Sequence, residues 1–240
     1  MKKIIFIVSI ILIILSILLL KIKLNKNPSS NFSFTSIETV NLSELVKTRA
    51  ADAPQPNIII LLADDLGWSD VGYRGSDINT PNIDRLAKEG MRLERFYATP
   101  FCTPTRAALM TARDPIKLGA AHAVFMAWDN AGISPVEKFM PEDFKSAGYQ
   151  TAMFGKLHFG NNPKGIDDFL ILPGQGSYIN PKFIGKDSDT IITGYVTDII
   201  TDLSLDWLDK KRDKEKPFMM MYLHKAPHRP WWPSPEKFAE

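Results

Sequence analysis

A chain of 240 residues, 45% of them apolar, can bury one sizeable core, which sets the expectation of a single main domain. Basic residues outnumber acidic ones only 29 to 27, which excludes a broad nucleic-acid-binding face, and a single cysteine, Cys102, excludes a disulfide framework or a multi-cysteine metal site.

Residues 1–24 carry Lys2 and Lys3, then an apolar run over 4–20, then Lys21 and Lys23. This reads as a signal peptide or membrane anchor, with the uncleaved anchor favoured because no small-x-small site follows at once. The protein is therefore expected on the exported side of a membrane, periplasmic, extracellular or lumenal, and tethered to it by residues 4–20. Residues 25–54 begin with an Asn- and Ser-rich tract and read as a linker. Residues 55–240 are expected to fold.

Within that part, residues 58–62 form an apolar, mostly β-branched run, the pattern of a strand covered on both faces. Thr80 as N-cap, Pro81 at the first position, Ile83, Leu86 and Ala87 on one face and Gly90 beyond the end mark a helix. Residues 91–97 alternate like a strand. Thr103 and Pro104 open a helix through Ala112, which puts Cys102 at a helix N-terminus. A helix over 141–147, a strand over 150–154, a helix over 196–211 and a strand over 218–223 follow. Lys210 to Lys216 reads as a solvated helix end, and Met219 to Met221 and Trp231-Trp232 as core and rim packing, with a tryptophan stacked on a sugar ring as the alternative for the pair.

Alternating helices and buried strands imply an α/β domain with a mostly parallel sheet and helices on both faces. Ligands in such sheets bind beyond the carboxyl ends of the strands. Asp64 and Asp65 follow the first strand, Lys156 and His158 the strand at 150–154, and His224 and His228 the last, so three groups of titratable residues share one rim. The paired aspartates offer hard oxygens suited to calcium or magnesium, or simply a helix cap. Cys102 at a helix start is placed to meet an anion, to act as an activated thiolate, or to pack as a small hydrophobe. Arg106 lies one turn on. Lys156 and His158, two apart in an extended segment, would project to one side, the lysine as a fixed cation and the histidine as a proton-handling group. His228 would donate to an anion or a leaving oxygen, His224 would line the substrate pocket, and His122 is left open.

The pentapeptide Cys102-Thr103-Pro104-Thr105-Arg106 resembles the C-x-P-x-R signature of the sulfatase family. Four further stretches match in family order: Pro56-Asn57-Ile58-Ile59-Ile60-Leu61-Leu62-Ala63-Asp64-Asp65-Leu66-Gly67; Thr80-Pro81-Asn82-Ile83-Asp84-Arg85-Leu86-Ala87; Gly155-Lys156-Leu157-His158-Phe159-Gly160, like G-K-W-H-x-G; and Ala226-Pro227-His228-Arg229-Pro230, like A-P-H-x-P. The resemblance covers roughly residues 55–240. It implies an alkaline-phosphatase-like fold, truncated on its C-terminal side, and a sulfuric ester hydrolase cleaving a sulfate monoester of a carbohydrate or aryl sulfate. It further implies that a formylglycine-generating or sulfatase-maturing enzyme oxidises Cys102 to a formylglycine, whose hydrate attacks the ester. Calcium, in preference to magnesium, would be held by Asp64, Asp65 and the modified residue 102. Arg106, Lys156, His158 and His228 would act at the reacting centre, with Lys156, His228 and His224 on a sulfated small molecule or glycan.

Thr105, Ala112 and Leu157 stand where the family usually has Ser, Gly and Trp. The family's Asp-Asn pair and a further lysine have no counterpart here, since Asp129-Asn130 precedes the Gly-Lys-x-His stretch. The chain therefore reads as the N-terminal half of a sulfatase, a truncated product or a fragment, with an unpaired sheet edge where later strands belong. The spacing from Gly119 onward is most similar to arylsulfatase B-like enzymes acting on N-acetylgalactosamine 4-sulfate. Two rival readings are a phosphonate monoester or phosphodiester hydrolase of the same fold and an inactive remnant.

Overall fold

Thr151-Ala152-Met153-Phe154 and Phe218-Met219-Met220-Met221 have almost no polar side chains to offer water, and in the computed structural model they form two adjacent interior strands. The structure describes residues 54–121, 124–129 and 131–238. The expected anchor, nearly all of the expected linker, His122 and Asn130 lie outside the described residues.

Among the described residues, strands β1 (Ile58–Asp64), β2 (Gln150–Lys156), β3 (Asp168–Leu172), β4 (Lys182–Gly185), β5 (Thr190–Ile191) and β6 (Phe218–Pro227) form one sheet in the order β1-β6-β2-β3-β4-β5. β1, β6, β2 and β3 are parallel, and β4 and β5 extend the sheet antiparallel. Five helices accompany it: α1 (Pro81–Glu89), α2 (Cys102–Thr111), α3 (Met140–Ser146), α4 (Val196–Asp206) and α5 (Pro235–Phe238). Strand alternation sends Met153, Met219, Met221 and Leu223 to one face, where they meet Ala107 and Met110 of α2. Ala152, Phe154, Phe218 and Met220 go to the other, against Val196, Ile199 and Ile200 of α4. Each large side chain so buried contributes about 1.5–3 kcal/mol. The expected mostly parallel sheet with helices on both faces is present, and its parallel strands bring the ends of β1, β2 and β6 to one rim.

Gly155 sits where β2 presses on β6. A Cβ there would lie 1.8 Å from the Leu223 carbonyl oxygen, and the backbone adopts φ +108, so only glycine fits beside Lys156.

Several expectations are corrected. β1 is an edge strand, not one covered on both faces: Ile59 and Leu61 are exposed, Leu61 at 57%. Residues 91–97 are not a strand; Met91 and Tyr97 are largely exposed, and alternation without a neighbouring edge leaves the backbone no ladder partner. Ile83 and Leu86 of α1 are likewise exposed. Thr80 stands at the N-cap without capping, because its hydroxyl instead donates to Asp84 (2.8 Å) and accepts from the Gly72 amide (2.8 Å). The helix expected over 196–211 is present over that span, α-helical over Val196–Asp206 and π-helical over Trp207–Lys211. Trp231 and Trp232 are exposed, so they belong to the rim, whereas the methionine run is core.

Ala112 follows α2 in the left-handed region, φ 53 and ψ 28, its amide bonded to the Ala108 carbonyl. A residue with a Cβ pays about 1–2 kcal/mol there. Ala112→Gly is expected to stabilise the protein by about 0.5–1 kcal/mol, read as a melting temperature a few degrees higher; an unchanged or lower value contradicts this account of the helix end.

Candidate active site

β1 ends in two consecutive carboxylates that the backbone sends in different directions. Asp65 adopts φ 61, a left-handed conformation that Asp tolerates better than most residues. Asp64 is thereby left inside the molecule while Asp65 faces solvent. Asp64 Oδ2 accepts from the buried Lys156 ammonium, and Asp64 Oδ1 lies 3.6 Å from Arg106 Nη2. Arg106 also donates to the Lys156 carbonyl. Burial pushes both Lys156 and Arg106 below their ordinary values, with the Asp64 charge opposing the shift. Lys156 Nζ makes a further bond, 2.5 Å, to Gln175 Oε1.

Cys102 opens α2, with Phe101 in an extended N-cap conformation, so residue 102 stands in the first turn, at the positive end of the helix dipole. Cys102 Sγ lies 3.0 Å from His158 Nδ1, and Thr103 locks the same histidine by donating to its carbonyl (2.7 Å). His158 adopts φ 55, so it reaches Cys102 through a left-handed kink after β2 and not by the simple strand alternation expected. Its Nε2 is buried without a partner among the described residues. A cavity of about 200 Å³ opens beside Cys102, lined by Asp64, Asp65, Thr99, Thr105 and Arg106 among others.

His228 meets the same rim, with Nε2 3.4 Å from Asp65 Oδ2 and Nδ1 2.7 Å from the Arg229 carbonyl oxygen. His224 does not join the group. It packs edge-on against Tyr222 (4.4 Å) with Nδ1 buried and unpartnered, and burial lowers its pKa. Asp64, Asp65, Cys102, Arg106, Lys156, His158 and His228 are therefore brought together and His224 is set apart. Three residues at the site carried no motif signal: Gln175 on Lys156; Lys225, buried over the Tyr178 ring; and Tyr178 itself, whose hydroxyl donates to the His228 carbonyl. Only the placement of Lys225 one residue before Ala226-Pro227-His228 could have flagged it.

For a divalent ion, Asp64 and Asp65 fit in kind and fall short in number. Both are hard oxygen donors, but calcium takes six to eight oxygens, and no group of three or more His, Cys, Asp or Glu suited to a metal occurs among the described residues. The Cys102 thiol is a soft donor, so residue 102 would suit calcium only with oxygen in place of sulfur.

Burial and the Lys156 and Arg106 cations push His158 down from 6.5 to about 3, with Asp64 opposing and His228 reinforcing the shift. In the unfolded chain it protonates near 6.5. The unfolded state thus binds more protons between these values, and His158 subtracts stability as pH falls from about 6.5 towards 3, by at most about 1.4 kcal/mol per pH unit. Urea unfolding of the protein and of His158→Gln at neutral and at acid pH is expected to show a shallower acid loss in the variant; identical slopes contradict the assignment.

A family model described as Sulfatase matches residues 56–240. N-acetylglucosamine-6-O-sulfatase of Bacteroides thetaiotaomicron is 37% identical over 218 residues, covering 88% of this chain and 37% of that protein. N-acetylgalactosamine-6-sulfatase of Mus musculus is 34% identical over 220 residues, covering 77% and 42% respectively. Among solved structures, BT4656 in complex with its substrate D-glucosamine-2-N,6-O-disulfate is 39% identical with a TM-score of 0.69, covering 76% of this chain and 37% of that one. Ps i-CgsB in complex with k-i-k-neocarrahexaose is 31% identical with a TM-score of 0.72, covering 78% and 48%. The chain thus spans about two fifths of the length of the curated relatives named.

Proposed function

The chain belongs to the sulfatase family, and from that premise we propose that it is the N-terminal part, residues 55–240, of a sulfuric ester hydrolase acting on a sulfated carbohydrate. The relatives' names favour a 6-sulfated amino sugar over the 4-sulfated one suggested by spacing. Residues 1–24 would export or anchor it, which puts the site on the far side of a membrane.

The observation that carries the reading is the meeting of Cys102, Arg106, Lys156 and His158 at one helix N-terminus beside an open cavity. Converted to a formylglycine by a maturing enzyme, residue 102 would supply a hydrated aldehyde, one hydroxyl for attack on sulfur and a second through which sulfate is expelled. The chain's own residues do the rest. The α2 amides and Arg106 hold negative charge next to residue 102. Lys156 places a fixed cation at the same point and is steered there by Asp64 and Gln175. His158, kept neutral by burial and by its cationic neighbours, offers Nδ1 to the group at position 102 as a proton acceptor. His228, mostly covered and beside the exposed Asp65, is placed to give a proton to the departing alcohol oxygen. Asp64 and Asp65 would hold part of a calcium shell, and the ion would polarise a sulfate oxygen when bound.

A cysteine nucleophile is the weaker reading, because burial, reinforced by Lys156 and Arg106, opposes an imidazolium at His158 that could pair with a thiolate. The phosphodiester alternative is tested by competition between an aryl sulfate and an aryl phosphodiester for the natural protein. Preferred sulfate turnover is the expected result; preferred diester cleavage selects the alternative, and turnover of neither selects the inactive remnant.

A further inference from the structure

Lys225 is 3% exposed, yet it makes no hydrogen bond or ion pair among the described residues; its partner is the face of Tyr178, 4.7 Å from Nζ. Its position in the sheet is close to the site. Leu223 pairs with both Leu62 and Gly155, and Pro227 pairs with Asp64, so Lys225 lies on β6 between the ends of β1 and β2, level with the bulge that leads into Asp64. Tyr178 ties it to the site from the other side by bonding the His228 carbonyl.

The charges at this rim do not balance. Three buried cations, Arg106, Lys156 and Lys225, face one buried carboxylate, Asp64, and the exposed Asp65. Arg106 and Lys156 divide Asp64 between them. An aromatic face contributes about 1–2 kcal/mol to a cation but carries no opposite charge, so the Lys225 ammonium has no anionic partner among the described residues. A tetrahedral anion seated at the N-terminus of α2, a sulfate ester with one negative charge or released sulfate with two, supplies opposite charge.

We propose that Lys225 is an anion-binding residue of this site, which holds an oxygen of the sulfo group from the β6 side while Arg106 and Lys156 hold it from α2 and β2. The proposal rests on the sulfatase reading and adds a ligand-binding lysine outside the motifs that carry it. Burial and the Lys156 ammonium lower the Lys225 pKa while Asp64 and Asp65 draw it up, consistent with one shared electrostatic site.

The test is calorimetric titration of inorganic sulfate into the natural protein and into Lys225→Met, Lys225→Arg and, as a surface control, Lys210→Met. Lys225→Met is expected to weaken sulfate binding about tenfold or more, the equivalent of about 1.4 kcal/mol, Lys225→Arg to recover most of it, and Lys210→Met to bind as the parent does. Because methionine keeps the apolar stem and removes an unpaired charge, its melting temperature should hold or rise; Lys225→Gln provides the same reading if methionine disturbs packing. Undiminished sulfate binding in the neutral variants overturns the role of Lys225 and leaves the sulfatase reading intact. Failure of the parent to bind sulfate overturns both.

Discussion

Cys102→Ala is expected to abolish sulfate ester hydrolysis, by roughly 10⁴-fold or more, since losing a nucleophile that works with its neighbours as a unit costs about as much as losing all of them. The geometry makes the effect specific. Cys102 Sγ touches His158 Nδ1 at 3.0 Å beside the Arg106 charge, so alanine removes the group bonded to the histidine ring nitrogen while Thr103 still holds the histidine backbone. Cys102→Ser separates the chemistry from the geometry. A serine hydroxyl could attack sulfur, but a sulfated serine has no second hydroxyl on the same carbon through which to expel sulfate. The serine variant should therefore stall after at most one turnover with sulfate attached at position 102, whereas sustained turnover by either variant would rule out residue 102 as nucleophile.

The second large effect belongs to Asp64→Asn. In the native protein its carboxylate accepts from Lys156 and lies 3.6 Å from Arg106, all three side chains being nearly inaccessible. Asparagine matches the shape and deletes the charge, stranding two buried cations. Breaking a buried pair this way costs about 3–5 kcal/mol, or a melting temperature lower by roughly 10 °C for a domain of this size. Adding Lys156→Met should return part of the loss, because the stranded charge goes with it. A cost below about 1 kcal/mol for Asp64→Asn, or strictly additive effects in the pair, would mean that the cluster is solvated and not the buried ion group described.

The rim itself was legible from element order alone. Strands 58–62, 150–154 and 218–223 were each apolar enough to recognise, and a parallel sheet forces their following residues, Asp64, Lys156 and His228, to one edge. Sequence periodicity could not tell that β1 lies at the edge of the sheet, because coverage of its outer side depends on what pairs there and not on its own residues. The run at 91–97 failed for the same reason: alternation describes a surface that suits a strand but supplies no partner. β3, β4 and β5 were missed because they are short and hang on a neighbour, β5 over only two residues. Within the site, the backbone is left-handed at Asp65 and His158, and although Asp and His enter that region more readily than most residues, residue type alone does not say at which position they do so. Lys225 was hidden for a different reason: a lysine reads as surface until the fold buries it.

Everything proposed for this site depends on residue 102 carrying an oxygen-bearing aldehyde in place of a thiol. Peptide mass spectrometry across residue 102, on protein from its natural source, measures that directly. The account predicts a peptide in which the sulfur of Cys102 is gone and a carbonyl oxygen has replaced it, reactive towards a hydrazine probe. A peptide carrying only the intact thiol, in protein that hydrolyses sulfate esters, would contradict it.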